Sequence, residues 1–193
     1  MPTITEDTQL KQQFINALQE RSAPIRTEIH VSDLIFCLRK AFYRRFKNRK
    51  LSEQQLIFFL DGHQRHEGLQ ALVPNLGKEV AVRKYGIVGH LDILNKHPIE
   101  IKTTHFKQLA YYCLLTDTTT CNLITQYIND GLLTFEHITF SKAELDKYLQ
   151  EMLESRDLLR FAYERKTTAQ LPIINDWICQ KCEFNQLCME ATK

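Results

Sequence analysis

No stretch of the 193 residues approaches the roughly 20 consecutive apolar positions that a membrane-spanning helix needs. The start, MPTITEDTQ, lacks the basic-then-apolar plan of a secretory leader, so the expectation is a soluble, cytoplasmic chain with no membrane partner. No internal repeat and no low-complexity linker occurs, which argues against a solenoid and against domains strung on a tether. Charge of one sign is equally scarce. With 25 basic and 23 acidic residues the formal net charge is +2, too mild to announce a polyanion binder from the total alone.

What is present is enough apolar material for a core: a 44% hydrophobic chain of this length supports one domain with at most a small appendage. The expected division is a helical part at 1–73, a central part at 74–166 and a cysteine-rich tail at 167–193. Helical patterns are expected over about 7–20, from a cap at Ser32 or Asp33 to about Phe46, and over about 52–72, where Ser52 and Gln55 resemble a capping box. From 78 to 103 the pattern turns to alternation in EVAVRKYG, IVGHLDIL and IEIKTT, read as a three-stranded meander. An apolar helix over 106–115 follows. Next come a hairpin over 122–140 around Asn129-Asp130-Gly131 and a long amphipathic helix from Ser141 to about Lys166.

Strand phase places chemistry on one face. Asp92 shares its side with Val88 and His90 while Leu91 and Ile93 point the other way; on the next strand Glu100 and Lys102 share a face opposite Ile99, Ile101 and Thr103. If the turn near Lys96 pairs these strands, Asp92, Glu100 and Lys102 converge. Two carboxylates beside a lysine suit phosphodiester hydrolysis, because hard oxygen ligands hold Mg²⁺ or Mn²⁺ and the lysine orients water or offsets charge on the phosphate. Taken alone, such residues are also common on a solvated strand face. His66 lies one turn beyond Gly62, where glycine would allow close backbone approach, and its imidazole is a candidate further ligand. Gln108 and Tyr112, four apart on one helix face, could contact DNA or orient the site.

The tail carries Cys179, Cys182 and Cys188, and Cys37 stands alone in the helical part. Together they can make a four-thiolate site joining the N-terminal helices to the tail, with iron–sulfur and zinc equally compatible with the spacing. Cys113 and Cys121 fall in or beside apolar segments and read as buried and inert.

The ordered set Cys37, Gly62-x3-His66, Gly89-His90-Leu91-Asp92, Glu100-Ile101-Lys102, Gln108-x3-Tyr112 and Cys179-x2-Cys182-x5-Cys188 resembles the CRISPR-associated exonucleases of the Cas four family. These are relatives of the RecB nuclease domain in the PD-(D/E)XK superfamily. The resemblance implies an α/β, restriction-endonuclease-like core, a mixed central sheet flanked by helices, and a 4Fe-4S cluster on Cys37, Cys179, Cys182 and Cys188. It also implies Mn²⁺ or Mg²⁺ held by His66, Asp92, Glu100 and the main-chain carbonyl of Ile101. Lys102 matches the motif lysine, Gln108 and Tyr112 match a glutamine–tyrosine element, and Glu79 lies where related nucleases often carry an acid. The activity implied is degradation of single-stranded DNA from an end, commonly 5′ to 3′, trimming spacer precursors with the Cas one and Cas two integration proteins. On that reading the basic segment 39–50, with Arg39, Lys40, Arg44, Arg45 and Lys47, becomes a DNA path. The alternatives are a repair or viral nuclease stapled by zinc or iron, and a non-catalytic DNA-binding or assembly module.

Overall fold

The computed structural model describes residues 7–22, 26–47, 50–72, 79–101, 106–127, 132–174 and 177–190. Four helices open the chain: α1 (Thr8–Ser22), α2 (Val31–Ile35), α3 (Leu38–Phe46) and α4 (Glu53–Ala71). Then come β1 (Val80–Lys84), β2 (Ile87–Leu91), β3 (Ile93–Leu94) and β4 (Pro98–Ile101), helix α5 (Phe106–Thr116), and β5 (Thr120–Tyr127) with β6 (Leu132–Thr139). The long α6 (Lys142–Arg165) and two short tail helices, α7 (Trp177–Gln180) and α8 (Asn185–Glu190), complete it. Among the described residues no helix is long and apolar enough to cross a membrane.

The capping boxes read from the sequence start two of these helices. Ser52 Oγ accepts from the Gln55 N–H, and the Gln55 side chain accepts from the Ser52 N–H; Ser141 and Glu144 do the same at α6. Each pair satisfies amide donors that the first helical turn would leave orphaned. The helix expected over 32–46 is instead two helices. It starts from His30, whose N–H donates to Asp33 Oδ2 at 2.9 Å, not from a cap at Ser32 or Asp33. It breaks at Phe36 and Cys37, and Cys37, extended at φ −107° and ψ 115°, becomes the N-cap of α3.

The meander also has a break. β1 and β2 pair antiparallel through the turn Tyr85-Gly86, where both residues have positive φ. β3 pairs antiparallel with β4, β4 runs parallel to β5, and β5 pairs antiparallel with β6 from Thr120↔Thr139 to Tyr127↔Leu132. The turn residues Asn129, Asp130 and Gly131 lie outside the described residues. Asp92 interrupts the run between β2 and β3: its carboxylate takes the Ile101 N–H, a bond that a continuous ladder would give to a backbone carbonyl. The result is a mixed four-stranded sheet, β3-β4-β5-β6, beside a two-stranded hairpin.

Helix α5 is the crossover between the parallel strands β4 and β5, and it is buried along most of its length. One cluster joins it to α2, α3, β2 and α6 through Leu34, Phe42, Leu91, Tyr111, Met152 and Leu159. A second lies between α5, β5 and α6 and includes the fully buried Cys113 and Cys121. The same packing places the C-terminal end of β4 next to Asp92, and Gln108, near the start of α5, next to Glu100.

Candidate active site

Asp92 is held from three directions. Its Oδ2 accepts from the Ile101 N–H at 2.8 Å, its Oδ1 lies 3.2 Å from His66 Nδ1, and its main-chain carbonyl accepts from Gln70 Nε2 at 2.9 Å. Leu91 and Ile93 on either side are fully buried, so strand phase fixes the carboxylate on the opposite face. His66 and Gln70 are one turn apart on α4, and both reach Asp92 from that helix. The Asp92 side chain is 15% exposed and that of His66 29%, so both are open to a solvent-borne ligand.

Glu100 is deeper, at 2% exposure. Gln108 Nε2 donates to its Oε1 at 2.9 Å and to the Tyr112 hydroxyl at 2.7 Å, and that hydroxyl donates to the His90 carbonyl at 2.8 Å. This chain of bonds ties β4 to β2 through α5. Burial first, then the nearby Glu100 charge, pushes the Tyr112 phenol far above its ordinary range, so it stays a protonated donor. The glycine of the Gly89-His90-Leu91-Asp92 motif has a packing cause: a Cβ there would lie 2.8 Å from Leu115 Cδ1 and 3.1 Å from the Tyr112 ring. Gly62 is different. A Cβ there would meet no described protein atom within 4 Å, so no packing neighbour within the fold requires glycine at 62.

Asp92, Glu100, Gln108 and Tyr112 line one cleft of about 540 Å³, and with them stand two histidines to which strand phase assigned no role. The rings of His30 and His90 stack at 5.1 Å and 8°, and His90 Nδ1 pairs with Glu79 Oε1 at 3.1 Å. Burial, then the charge of Arg26, lowers the His30 imidazole to about 4. Nothing local marks His30. It reaches the cleft through a parallel bridge to Val88, far along the chain. His90 was legible as a neighbour of Asp92 on the same strand face.

Oxygen donors from Asp92 and Glu100 with one imidazole make a donor set that fits Mg²⁺ or Mn²⁺. Among the described residues no three His, Cys, Asp or Glu side chains stand as a closed metal cage: Asp92 is engaged by His66 and the Ile101 amide, and Glu100 by Gln108. Lys102 lies outside the described residues.

The four cysteines singled out by spacing lie near one another around the start of α3, but among the described residues no three of them are drawn together as a metal site. The amides of Arg39 and Lys40 point at the Cys37 sulfur, Arg39 Nη1 lies 3.9 Å from Cys188 Sγ, and the Phe184 N–H approaches Cys182 Sγ at 3.5 Å. Burial raises the Cys37 thiol, and the neighbouring Cys179 and Cys188 raise it further; Cys182 is raised by burial and in part by Cys37. An all-sulfur set at a helix N-terminus beside cations fits a thiolate-bound zinc or iron–sulfur group.

This corner corrects the reading of 39–50 as one basic face. Arg39 is buried and donates to the Leu171 carbonyl at 3.0 Å, and Lys40 pairs at 2.9 Å with the buried Glu183, so both turn toward the tail rather than toward a DNA path. Arg45 turns elsewhere, donating to the Thr27 carbonyl at 2.7 Å. Arg44 is half-buried and Lys47 exposed.

No family model matches the chain, and no curated protein does. Among solved structures the fold is similar to that in the crystal structure of SSO0001, with a TM-score of 0.63 and 21% identity over 94% of this chain and 97% of that one. It is also similar to LHK-Exo in complex with dAMP, with a TM-score of 0.50 and 15% identity over 81% of this chain and 95% of that one. LHK-Exo is an alkaline exonuclease from Laribacter hongkongensis. At these identities the likeness is one of fold: a mixed sheet flanked by helices, arranged as in an alkaline exonuclease.

Proposed function

We propose that the chain is a metal-dependent DNA exonuclease of the Cas four kind. The observation that carries this is the placing of Asp92 and Glu100 in one cleft, each fixed by protein donors, on a fold shared with an exonuclease crystallised with a nucleotide. His66, Asp92, Glu100 and the Ile101 carbonyl would hold Mn²⁺ or Mg²⁺, and a cation there supplies the Lewis acidity that phosphodiester hydrolysis requires. Gln108 holds the Glu100 carboxylate in place, and Tyr112 anchors Gln108 against β2. Lys102, next along from β4, orients the attacking water or offsets charge on the phosphate.

Cys37, Cys179, Cys182 and Cys188 hold a 4Fe-4S cluster that fastens the tail to α3. The support is the spacing of these cysteines and the nearness of Cys37 to the three cysteines of the tail. The substrate is single-stranded DNA attacked from an end, 5′ to 3′, and the setting is spacer-precursor trimming alongside the Cas one and Cas two integration proteins. These assignments rest on the motif resemblance.

An anaerobic assay on 5′- and 3′-labelled single strands with Mn²⁺, comparing wild type with Asp92→Ala, tests the activity, its polarity and its site together. Cleavage by wild type that is lost in Asp92→Ala is expected; equal cleavage by both removes the proposed site. Broad visible absorption near about 400 nm is expected from an iron–sulfur protein. A colourless protein with stoichiometric zinc would replace the cluster by a zinc staple.

A further inference from the structure

A second cavity, of about 480 Å³, lies against the cleft and shares Thr27, Glu28 and Val88 with it. Its character is different. The cleft is lined by carboxylates and imidazoles with Arg26 beside them, whereas this groove is lined by Arg45, Arg83, Lys84 and Arg160, against Glu28 and Glu164. Its walls are the hairpin turn at Gly86 on one side and α6 with the end of α3 on the other.

The four cations are not equally engaged. Lys84 is bonded to Asp117 and to the Leu114 carbonyl. Arg45 lies 4.4 Å over the Tyr163 ring while donating to the Thr27 carbonyl, so it is fixed as a positive wall. Arg160 is exposed on α6 and makes no hydrogen bond or ion pair among the described residues. Arg83 grips Glu28 with two bonds at 3.2 and 3.3 Å, and Glu28 is the charged one of the three residues that border both cavities. The Arg83–Glu28 pair therefore stands at the seam.

We propose that this groove takes the phosphodiester backbone of a single DNA strand and leads it into the cleft, with Arg160 and Arg83 as its phosphate contacts and Glu28 competing for Arg83. The proposal rests on the nuclease reading for its substrate. Guanidinium forks match phosphate oxygens as they match carboxylates, so a phosphate replaces Glu28 on Arg83 without a change in the kind of bond. The groove has the volume of a small-molecule pocket, enough for the sugars and phosphates of one strand. The site also differs from the basic helix face read in the sequence: of those five residues it uses Arg45 alone.

Equilibrium binding of a fluorescent oligothymidylate to the full chain, in Ca²⁺ across a salt series, tests this. Arg160→Ala and Arg83→Ala should each weaken binding about three- to tenfold, and each should flatten the salt slope by about 0.7. Glu28→Gln should do the opposite, tightening binding about threefold by freeing Arg83. A merely structural role for the Arg83–Glu28 pair would move both variants the same way. Affinities within twofold of wild type for both arginine variants, or weaker binding by Glu28→Gln, overturn the groove. If Arg83→Ala lowers the melting temperature, Arg160→Ala decides, since Arg160 makes no hydrogen bond or ion pair among the described residues, and Arg160→Lys should recover part of the affinity. Turnover with Mn²⁺ is measured apart. A chain that binds through these arginines without cleaving sinks the nuclease reading and leaves the groove; one that cleaves while both variants bind normally does the reverse.

Discussion

The start of α2 lines the cleft and Cys37 follows its end, yet the two regions are held in different ways. In the cleft every key side chain is fixed by a neighbour on a core element: Asp92 by the Ile101 amide, Glu100 by Gln108, and Gln108 by Tyr112. In the corner three of the four thiols sit on or beside helices of four and six residues, and α8 buries none of its own. Helices that short do not hold themselves together. The difference teaches that a ligand in the cleft uses a framework that already exists, whereas a ligand in the corner helps to make one.

The sharpest break between the two regions is a pair of losses. If Glu100 holds the proposed cation, Glu100→Gln removes a ligand from a prefixed framework and cleavage should fall by at least about 10³-fold, the equivalent of several kcal/mol of charge stabilisation. The melting temperature should stay within a few degrees of wild type. If Cys182 holds the proposed cluster, Cys182→Ala should show the reverse pattern: loss of that cluster and of at least about 3 kcal/mol of stability, or about 10 °C in Tm for a chain of this size. Equal thermal losses for the two variants would erase the distinction.

Gly89→Ala probes whether packing alone positions the cleft. The added methyl meets Leu115 and the Tyr112 ring, so a cost of about 1–3 kcal/mol is expected. Tyr112 then moves off the His90 carbonyl and takes Gln108 with it, and cleavage should fall more steeply than stability does. A variant that loses stability but keeps full turnover would detach Tyr112 from the site.

Protonation separates the regions further. His30, buried beside Arg26, titrates near 4 in the fold but near 6.5 in the unfolded chain, so the unfolded state binds the extra proton between these values. Its contribution to stability is whole above about 6.5 and is lost as pH falls toward about 4. Melting curves across that window should therefore slope more steeply for wild type than for His30→Gln. Parallel slopes would show that this imidazole is not held neutral.

How much of this was legible in the sequence depended on how far apart the causes lie. Asp92 and Glu100 could be placed because the period of two is local and Leu91, Ile93 and Ile101 declare which face is buried. The caps at Ser52 and Ser141 are legible for the same reason, as each box closes within four residues. The break at Cys37 was not, because the pattern from Leu38 to Phe46 continues that of α2. What turns the chain is the tail, as in the Arg39 bond to Leu171, 132 residues along. The stacked histidines and the groove escaped likewise, since the bridge from His30 to Val88 and the pair of Arg83 with Glu28 join elements that only the fold brings together.

The smallest effect sharpens the same point through the two motif glycines, which look alike in sequence. Gly62 lies inside α4, where a methyl meets nothing, so only the helix propensity of the residue remains at stake. Gly62→Ala should therefore stabilise the chain by about 0.5–1 kcal/mol, the cost of glycine in a helix interior. Because His66 stands one turn further on and is reached by no new atom, the cleavage rate should hold while Tm rises by a few degrees. A fall in cleavage with Tm unchanged would mean that the bound DNA, rather than any part of the folded chain, occupies the space beside Gly62. The glycine would then be there for the substrate, as Gly89 is there for Tyr112.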